Sequence, residues 1–73
     1  RGAAGETAQM SSTSPAEIGA IAEAIESYRA RTVGLTEPLV GTPNEDLLVS
    51  LYEAERALRT ARQALLRAEK LAG

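Results

Sequence analysis

Histidine, cysteine, phenylalanine and tryptophan are missing from this 73-residue chain, and tyrosine occurs only twice. Without histidine and cysteine, the chain lacks the side chains of most metal sites, of most acid–base catalysis and of thiol chemistry. We therefore expect no catalytic residue, no metal site and no cofactor, and the composition argues against an enzyme. The lack of cysteine also excludes a disulfide framework. The absence of disulfides is typical of a cytoplasmic protein.

An excess of charge of one sign and long apolar runs are absent as well. The formal net charge is −2 and the isoelectric point is near 5.0, whereas nucleic-acid-binding domains usually carry a basic field. No apolar run approaches the roughly 20 residues of a membrane span, and no signal-peptide pattern opens the chain. We expect a soluble, cytoplasmic protein that binds neither nucleic acid nor a membrane.

Two start signals divide the chain into two predicted helices. Ser14-Pro15-Ala16-Glu17 and Thr42-Pro43-Asn44-Glu45 each combine a capping box with a proline in the first turn. They predict an all-α, antiparallel two-helix hairpin with helices at about 15–33 and 43–72. Gly34 is expected to end the first helix in a left-handed conformation, and Pro38 and Gly41 to break the chain between the helices.

The domain organisation predicted from composition is simple. Residues 1–13 contain mainly small and polar side chains and are expected to be a flexible linker or a tag remnant, and residues 14–73 form one hairpin. Much of the apolar content is alanine, which buries little area, so the core of the hairpin is thin. The second predicted helix is the longer one, and its last three turns are expected to extend beyond the first. The hairpin is therefore expected to need a partner or a second copy, as half of a four-helix bundle.

The second helix carries two columns of residues at heptad spacing. The first column alternates leucine with alanine and is assigned, with one apolar stripe of the first helix, to the hairpin core. That predicted core consists of Ile18, Ile21, Ile25, Tyr28, Leu47, Leu51, Ala54, Leu58, Ala61 and Leu65. The second column, about 100° around the helix, is apolar at its ends and charged in its middle. Its residues are Leu48, Tyr52, Glu55, Arg59, Arg62, Leu66 and Glu69. We interpret this column as a partner interface, and a solvated flank is the alternative.

The stretch NEDLLVSLYEAERALRTARQALLRAEK, from Asn44 to Lys70, resembles the docking helices of modular polyketide synthases. In that family an acidic cap precedes a coil with a run like L-R-x-A-R-Q-x-L-x-x-x-E. The matching residues here are Leu58, Arg59, Ala61, Arg62, Gln63, Leu65 and Glu69. The usual coil of this kind is a single helix. The two-helix arrangement is more similar to docking domains in which two hairpins form a four-helix bundle, as in synthases with separate acyltransferases.

The resemblance implies a non-catalytic adaptor. Such an adaptor binds the cognate docking domain of a neighbouring synthase subunit, so that the growing chain is passed on in the correct order. By this resemblance, Glu55, Arg59 and Arg62 select the partner. Two other functions stay open at this point: a homodimerising helical hairpin and a small regulatory coiled-coil adaptor.

Overall fold

The computed structural model describes residues 13–73 and confirms the all-α hairpin. Helix α1 (Pro15–Thr36) is followed by a short 3₁₀ turn (Glu37–Leu39) and by the longer helix α2 (Glu45–Ala72). The two helices pack side by side in an antiparallel pair. Apart from Thr13, the residues of the predicted linker lie outside the described part of the chain.

The start of α1 agrees with the sequence pattern. Ser14 has an extended backbone, and its side-chain oxygen accepts a hydrogen bond of 3.3 Å from the backbone N–H of Glu17. Pro15 occupies the first turn, where its missing N–H leaves no partner unsatisfied. The cap therefore sets where α1 begins.

The end of α1 differs from the prediction, which was wrong about Gly34. The helix continues through Gly34 to Thr36, and within residues 13–73 the glycine with a left-handed backbone is Gly41, at a φ of 81°. The cause is Pro38, which has no backbone N–H to continue the helical hydrogen bonds, although Glu37 before it keeps a helical backbone at a φ of −59° and a ψ of −47°. Gly41 then reverses the chain toward α2.

The start of α2 also differs from the predicted capping box. The helix begins at Glu45 rather than Pro43, and its N-cap residue is Asn44, whose side chain makes no capping bond. The hydroxyl of Thr42 donates to the carbonyl of Leu39 at 2.6 Å and accepts from the Asn44 backbone N–H at 3.4 Å. Thr42 therefore closes the connecting turn instead of capping the helix.

The free ends of the two helices are level, and the predicted overhang of α2 is absent. A Cβ added to Gly73 would lie 3.9 Å from Cγ of Pro15, so the last turn of α2 lies beside the first turn of α1. The expected overhang was wrong because α1 is longer than predicted and the 3₁₀ turn extends it further. The hairpin is therefore lined by α2 on one side and by α1 with the 3₁₀ turn on the other.

The interior contains little apolar volume. The buried apolar side chains among residues 13–73 are Ile18 (8% exposed) and Ala22 (1% exposed), and Thr36 and Glu55 are the buried polar ones. Of the residues predicted for the core, Ile18 is buried, and a second group is half-buried. That second group is Ile25, Leu51, Leu58, Ala61 and Leu65.

The prediction was wrong for the rest of the core, because four of its residues are exposed. These are Ile21 (46% exposed), Tyr28 (55%), Leu47 (50%) and Ala54. The reason is the orientation of α1: it turns Ala22, rather than Ile21, toward α2. The small alanine allows the helices to approach closely.

Candidate partner-binding surfaces

The hairpin is a single layer of two helices and has two broad faces. At about 3.6 residues per turn, residues 47, 54 and 61 of α2 lie on one flank of the helix contact and residues 52, 59 and 66 on the other. Two clefts show which side of α1 meets the second flank. One brings Gly19 and Glu23 beside Leu66, and the other brings Val33 beside Tyr52 and Arg59. Ile21 and Tyr28 are therefore on the same side as residues 47, 54 and 61.

The first surface is uncharged, and we call it the apolar face. It comprises Ile21, Ile25 and Tyr28 from α1, and Leu47, Leu51, Ala54, Leu58, Ala61 and Leu65 from α2. Every residue in this set is either half-buried or exposed. Tyr28 lies at the edge, where the guanidinium carbon of Arg31 is 5.6 Å from the centre of its ring. Large, contiguous apolar surface of this kind marks an interaction site more often than it marks a solvated surface.

The opposite surface, which we call the charged face, holds a continuous network of ion pairs. Arg29 of α1 donates to Glu55 of α2 at 2.9 Å and to Glu26 on its own helix at 2.9 Å. Arg59 donates to the other oxygen of Glu55 at 2.7 Å, and Nε of Arg62 lies 3.7 Å from Glu26. Two of these pairs join α1 to α2, and the one between Arg29 and Glu55 is the shorter.

The network changes the acidity of both its carboxyl groups. Hydrogen bonds from Arg59 and then Arg29 lower the pKa of Glu55, and this effect outweighs the opposing effect of burial. The hydrogen bond from Arg29 likewise lowers the pKa of Glu26. The same two carboxylates raise the pKa of Arg29 above its usual range. All three groups are therefore charged in the folded hairpin at neutral pH, and the network favours one orientation of the two helices.

The seven residues of the predicted partner interface divide into two groups. Leu48, Arg62, Leu66 and Glu69 are half-buried and Glu55 is buried, all toward α1. The carboxylate of Glu69 lies over Gly19, since a Cβ added to that glycine would be 2.7 Å from Oε2. Tyr52 and Arg59 expose more of their surface. The structure therefore places five of the seven residues of the predicted partner column toward α1, and leaves Leu47 and Ala54 of the predicted core column exposed.

Three residues that matter for this geometry were not singled out in the sequence. Ala22, Glu26 and Arg29 bring α1 against α2. A signal for them does exist: Ile18, Ala22, Ile25 and Arg29 follow a 4-3-4 spacing. Ile21 and Tyr28 belong to a second stripe at similar spacing. The predicted core was assigned to that stripe because its side chains are larger and more apolar than those of Ala22 and Arg29.

Two clefts flank the helix contact on the charged face. The one near the free ends has a volume of about 430 Å³ and is lined by Gly19, Glu23, Arg62 and Glu69, among others. The one near the connecting turn has a volume of about 330 Å³ and is lined by Val33, Thr36, Tyr52, Glu55, Arg56 and Arg59. Each therefore combines small or apolar walls with charged groups.

The described residues show no further chemistry. Over residues 13–73, no three acidic side chains are grouped so that they could hold a metal ion. In the same part of the chain, neither helix has the length and apolar character that crossing a membrane requires. The two faces are therefore the features that bear on function.

Comparisons with known proteins assign no family to this hairpin. No protein-family model matches the chain, and no curated protein or solved structure matches it either. The two faces and the resemblance of residues 44–70 are therefore the features that bear on function.

Proposed function

We propose that the hairpin is a non-catalytic docking module that binds a second helical hairpin through its apolar face. The observation that supports this is the small interior beside a large open apolar surface. Ile18 and Ala22 are the buried apolar residues of the described chain, while Ile21, Tyr28 and Leu47 stay about half exposed. In a hairpin of this size, the free energy gained by burying apolar surface is about equal to the conformational entropy lost on folding. A partner on the apolar face therefore supplies the additional burial.

The dimensions of the hairpin suit a four-helix bundle. Its principal extents are 56 × 23 × 14 Å, which corresponds to one layer of helices, each about 10–12 Å across. Stable protein interfaces bury about 800 Å² on each partner, and a face of this length and width is large enough for that. The alternation of leucine with alanine along α2 offers knobs and small gaps to a facing pair of helices.

The partner we propose is the cognate docking domain of a neighbouring subunit of a modular polyketide synthase. This part of the proposal is supported by the resemblance of residues 44–70 to the docking helices of that family. In this proposal the module acts in the cytoplasm and orders the transfer of the growing chain between subunits. Glu55, Arg59 and Arg62, to which the resemblance gives selection of the partner, all pair within the hairpin on the charged face, so docking through the apolar face does not use them for selection.

A calorimetric titration against the terminal helical segments of synthase subunits tests the proposal. We expect one segment to bind, with a gain in helicity. The variant Ala54→Glu places a charge on the apolar face and is expected to abolish binding, since an unpaired charge buried in an interface costs several kcal/mol. Gln63→Glu is the matched control, because Gln63 is exposed and lies about 180° around the same helix from Ala54. Equal binding by both variants would contradict docking through the apolar face.

A homodimer is the second candidate, and one observation favours it. The residues of the apolar face are uncharged and Arg31 lies at its edge, beside Tyr28, so the middle of the face presents no charge that would repel a second copy. In that case the chain alone has twice its monomer mass of 7.7 kDa, and Ala54→Glu makes it monomeric. The homodimer and the docking module are distinguished by whether the chain needs a different polypeptide to complete its bundle.

A further inference from the structure

We propose that the cleft near the connecting turn, on the charged face, binds an acidic amphipathic helix of a partner protein through one carboxylate and one neighbouring aliphatic side chain. This inference goes beyond the docking function, because the cleft lies on the opposite side of the hairpin from the apolar face. A hairpin seated on the apolar face leaves it open.

The arginine at the edge of the cleft is held in place with one side of its guanidinium group available. Nε and Nη2 of Arg59 donate to the two oxygens of Glu55, at 3.3 and 2.7 Å. Nη1 makes no hydrogen bond to any residue in the described chain. A guanidinium group binds a carboxylate best through a pair of adjacent N–H groups, and here the ion pair with Glu55 already orients the group.

A second arginine of the cleft adds positive charge. Arg56 is exposed, and within residues 13–73 it has no ion pair. The lining of the cleft thus has one carboxylate, that of Glu55, against the two guanidinium groups of Arg56 and Arg59. Because Arg29 and Arg59 already neutralise Glu55, the charge that faces an incoming group is positive.

The apolar walls favour a protein ligand over a free anion. Val33 and Tyr52 form the sides and both are partly exposed, and the buried hydroxyl of Thr36 is satisfied by the carbonyl of Val33 at 2.7 Å. An aliphatic side chain one helical turn from a carboxylate can contact Tyr52 while the carboxylate binds the two arginines. Helical residues four apart share a face, so one acidic helix can supply both groups.

The probe is a blocked, alanine-based helical peptide that carries leucine and glutamate four positions apart. We follow its binding by amide and arginine Nε–H chemical shifts of the ¹⁵N-labelled 73-residue chain. We expect shifts at Tyr52, Arg56 and Arg59, and we expect Arg56→Gln to weaken binding about tenfold, the value of one charge-assisted hydrogen bond. Arg56 does not hold the helices together, so this variant keeps its helicity.

Two controls decide the outcome. Arg67→Gln removes an exposed arginine from the same helix outside the cleft and is expected to bind the peptide like the wild type. A peptide with glutamine in place of glutamate is expected to lose the shifts. Equal binding of the two peptides, or an equal loss in Arg67→Gln and Arg56→Gln, would overturn the proposal. The same shifts with inorganic phosphate would also overturn it, since they would show a general anion site.

Discussion

The apolar face and the charged face are built from the same two helices, but the interactions within the hairpin are concentrated on one of them. On the charged face, Arg29 and Glu55 join α1 to α2 and Glu69 lies over Gly19. On the apolar face, Ile21, Tyr28 and Leu47 have much of their surface uncovered. Directional ion pairs thus set how the helices are aligned, while the surface that is best able to supply burial energy is left for another molecule.

The largest loss of stability is expected where the two faces meet. Ile18→Ala removes a buried side chain from the helix contact and should lower the free energy of unfolding by about 2–4 kcal/mol. Chemical denaturation followed by circular dichroism measures it. Leu71→Ala is the control, since Leu71 is 88% exposed, and it should change stability by no more than about 0.5 kcal/mol. A similar loss in both variants would show that Ile18 is not at the contact.

Acid is expected to weaken the charged face and leave the apolar face unchanged. The pKa values of Glu55 and Glu26 in the folded hairpin are both below the ordinary value of 4.5. Between these lowered values and about 4.5 the unfolded chain binds more protons, so stability rises with pH. The contribution of the ion pairs is therefore complete above pH 4.5 and is lost as the pH falls through the folded values. Thermal unfolding at a series of pH values measures this, and a flat profile below pH 4.5 would contradict it.

A substitution at Glu55 tests the link between the helices directly. Glu55→Gln keeps the shape of the side chain but leaves Arg29 and Arg59 without their shared carboxylate. We expect a lower unfolding midpoint than in the wild type, by less than for Ile18→Ala, and a weaker dependence on acid. Glu53→Gln on the same helix is the matched control, because Glu53 is exposed and makes no ion pair within the described chain. If the two variants unfold alike, Glu55 does not join the helices.

The smallest difference is expected between two glycines of α1. Gly34→Ala should stabilise the hairpin by about 1 kcal/mol, since alanine favours helix and nothing lies within 4 Å of the added Cβ. Gly19→Ala should gain less, because its Cβ would lie 2.7 Å from Oε2 of Glu69 and that side chain must move. In a Glu69→Ala background, Gly19→Ala should gain as much as Gly34→Ala. Equal gains from the two glycines would show that Glu69 does not lie over Gly19.

Local signals in the sequence predicted the elements of this fold well. Each of these signals depends only on residues close together in the chain. They are the cap at Ser14, the break at Pro38 and Gly41, and the end of α2 near Ala72. The Thr42 cap was not predictable in the same way. Its hydroxyl donates instead to the carbonyl of Leu39 in the connecting turn, and the capping-box pattern carries no signal of that bond.

The orientation of the helices was much harder to predict. A leucine and alanine column on α2 fits a contact within the hairpin and a contact with another molecule equally well. What decides between them is the pair Arg29 and Glu55, which are 26 residues apart in the chain, together with the small size of Ala22. Neither is visible in the periodicity of large apolar residues, so the predicted core and the predicted partner column were partly exchanged.

The most direct test of the account is the unfolding midpoint of the chain, measured across concentration and with a helical binding segment present. An incomplete hairpin should unfold at a temperature that rises with its own concentration or with that of the segment, and Ala54→Glu should remove the rise. A cooperative transition of a 7.7 kDa monomer that neither concentration, segment nor Ala54→Glu alters would contradict the claim that the apolar face is a binding surface.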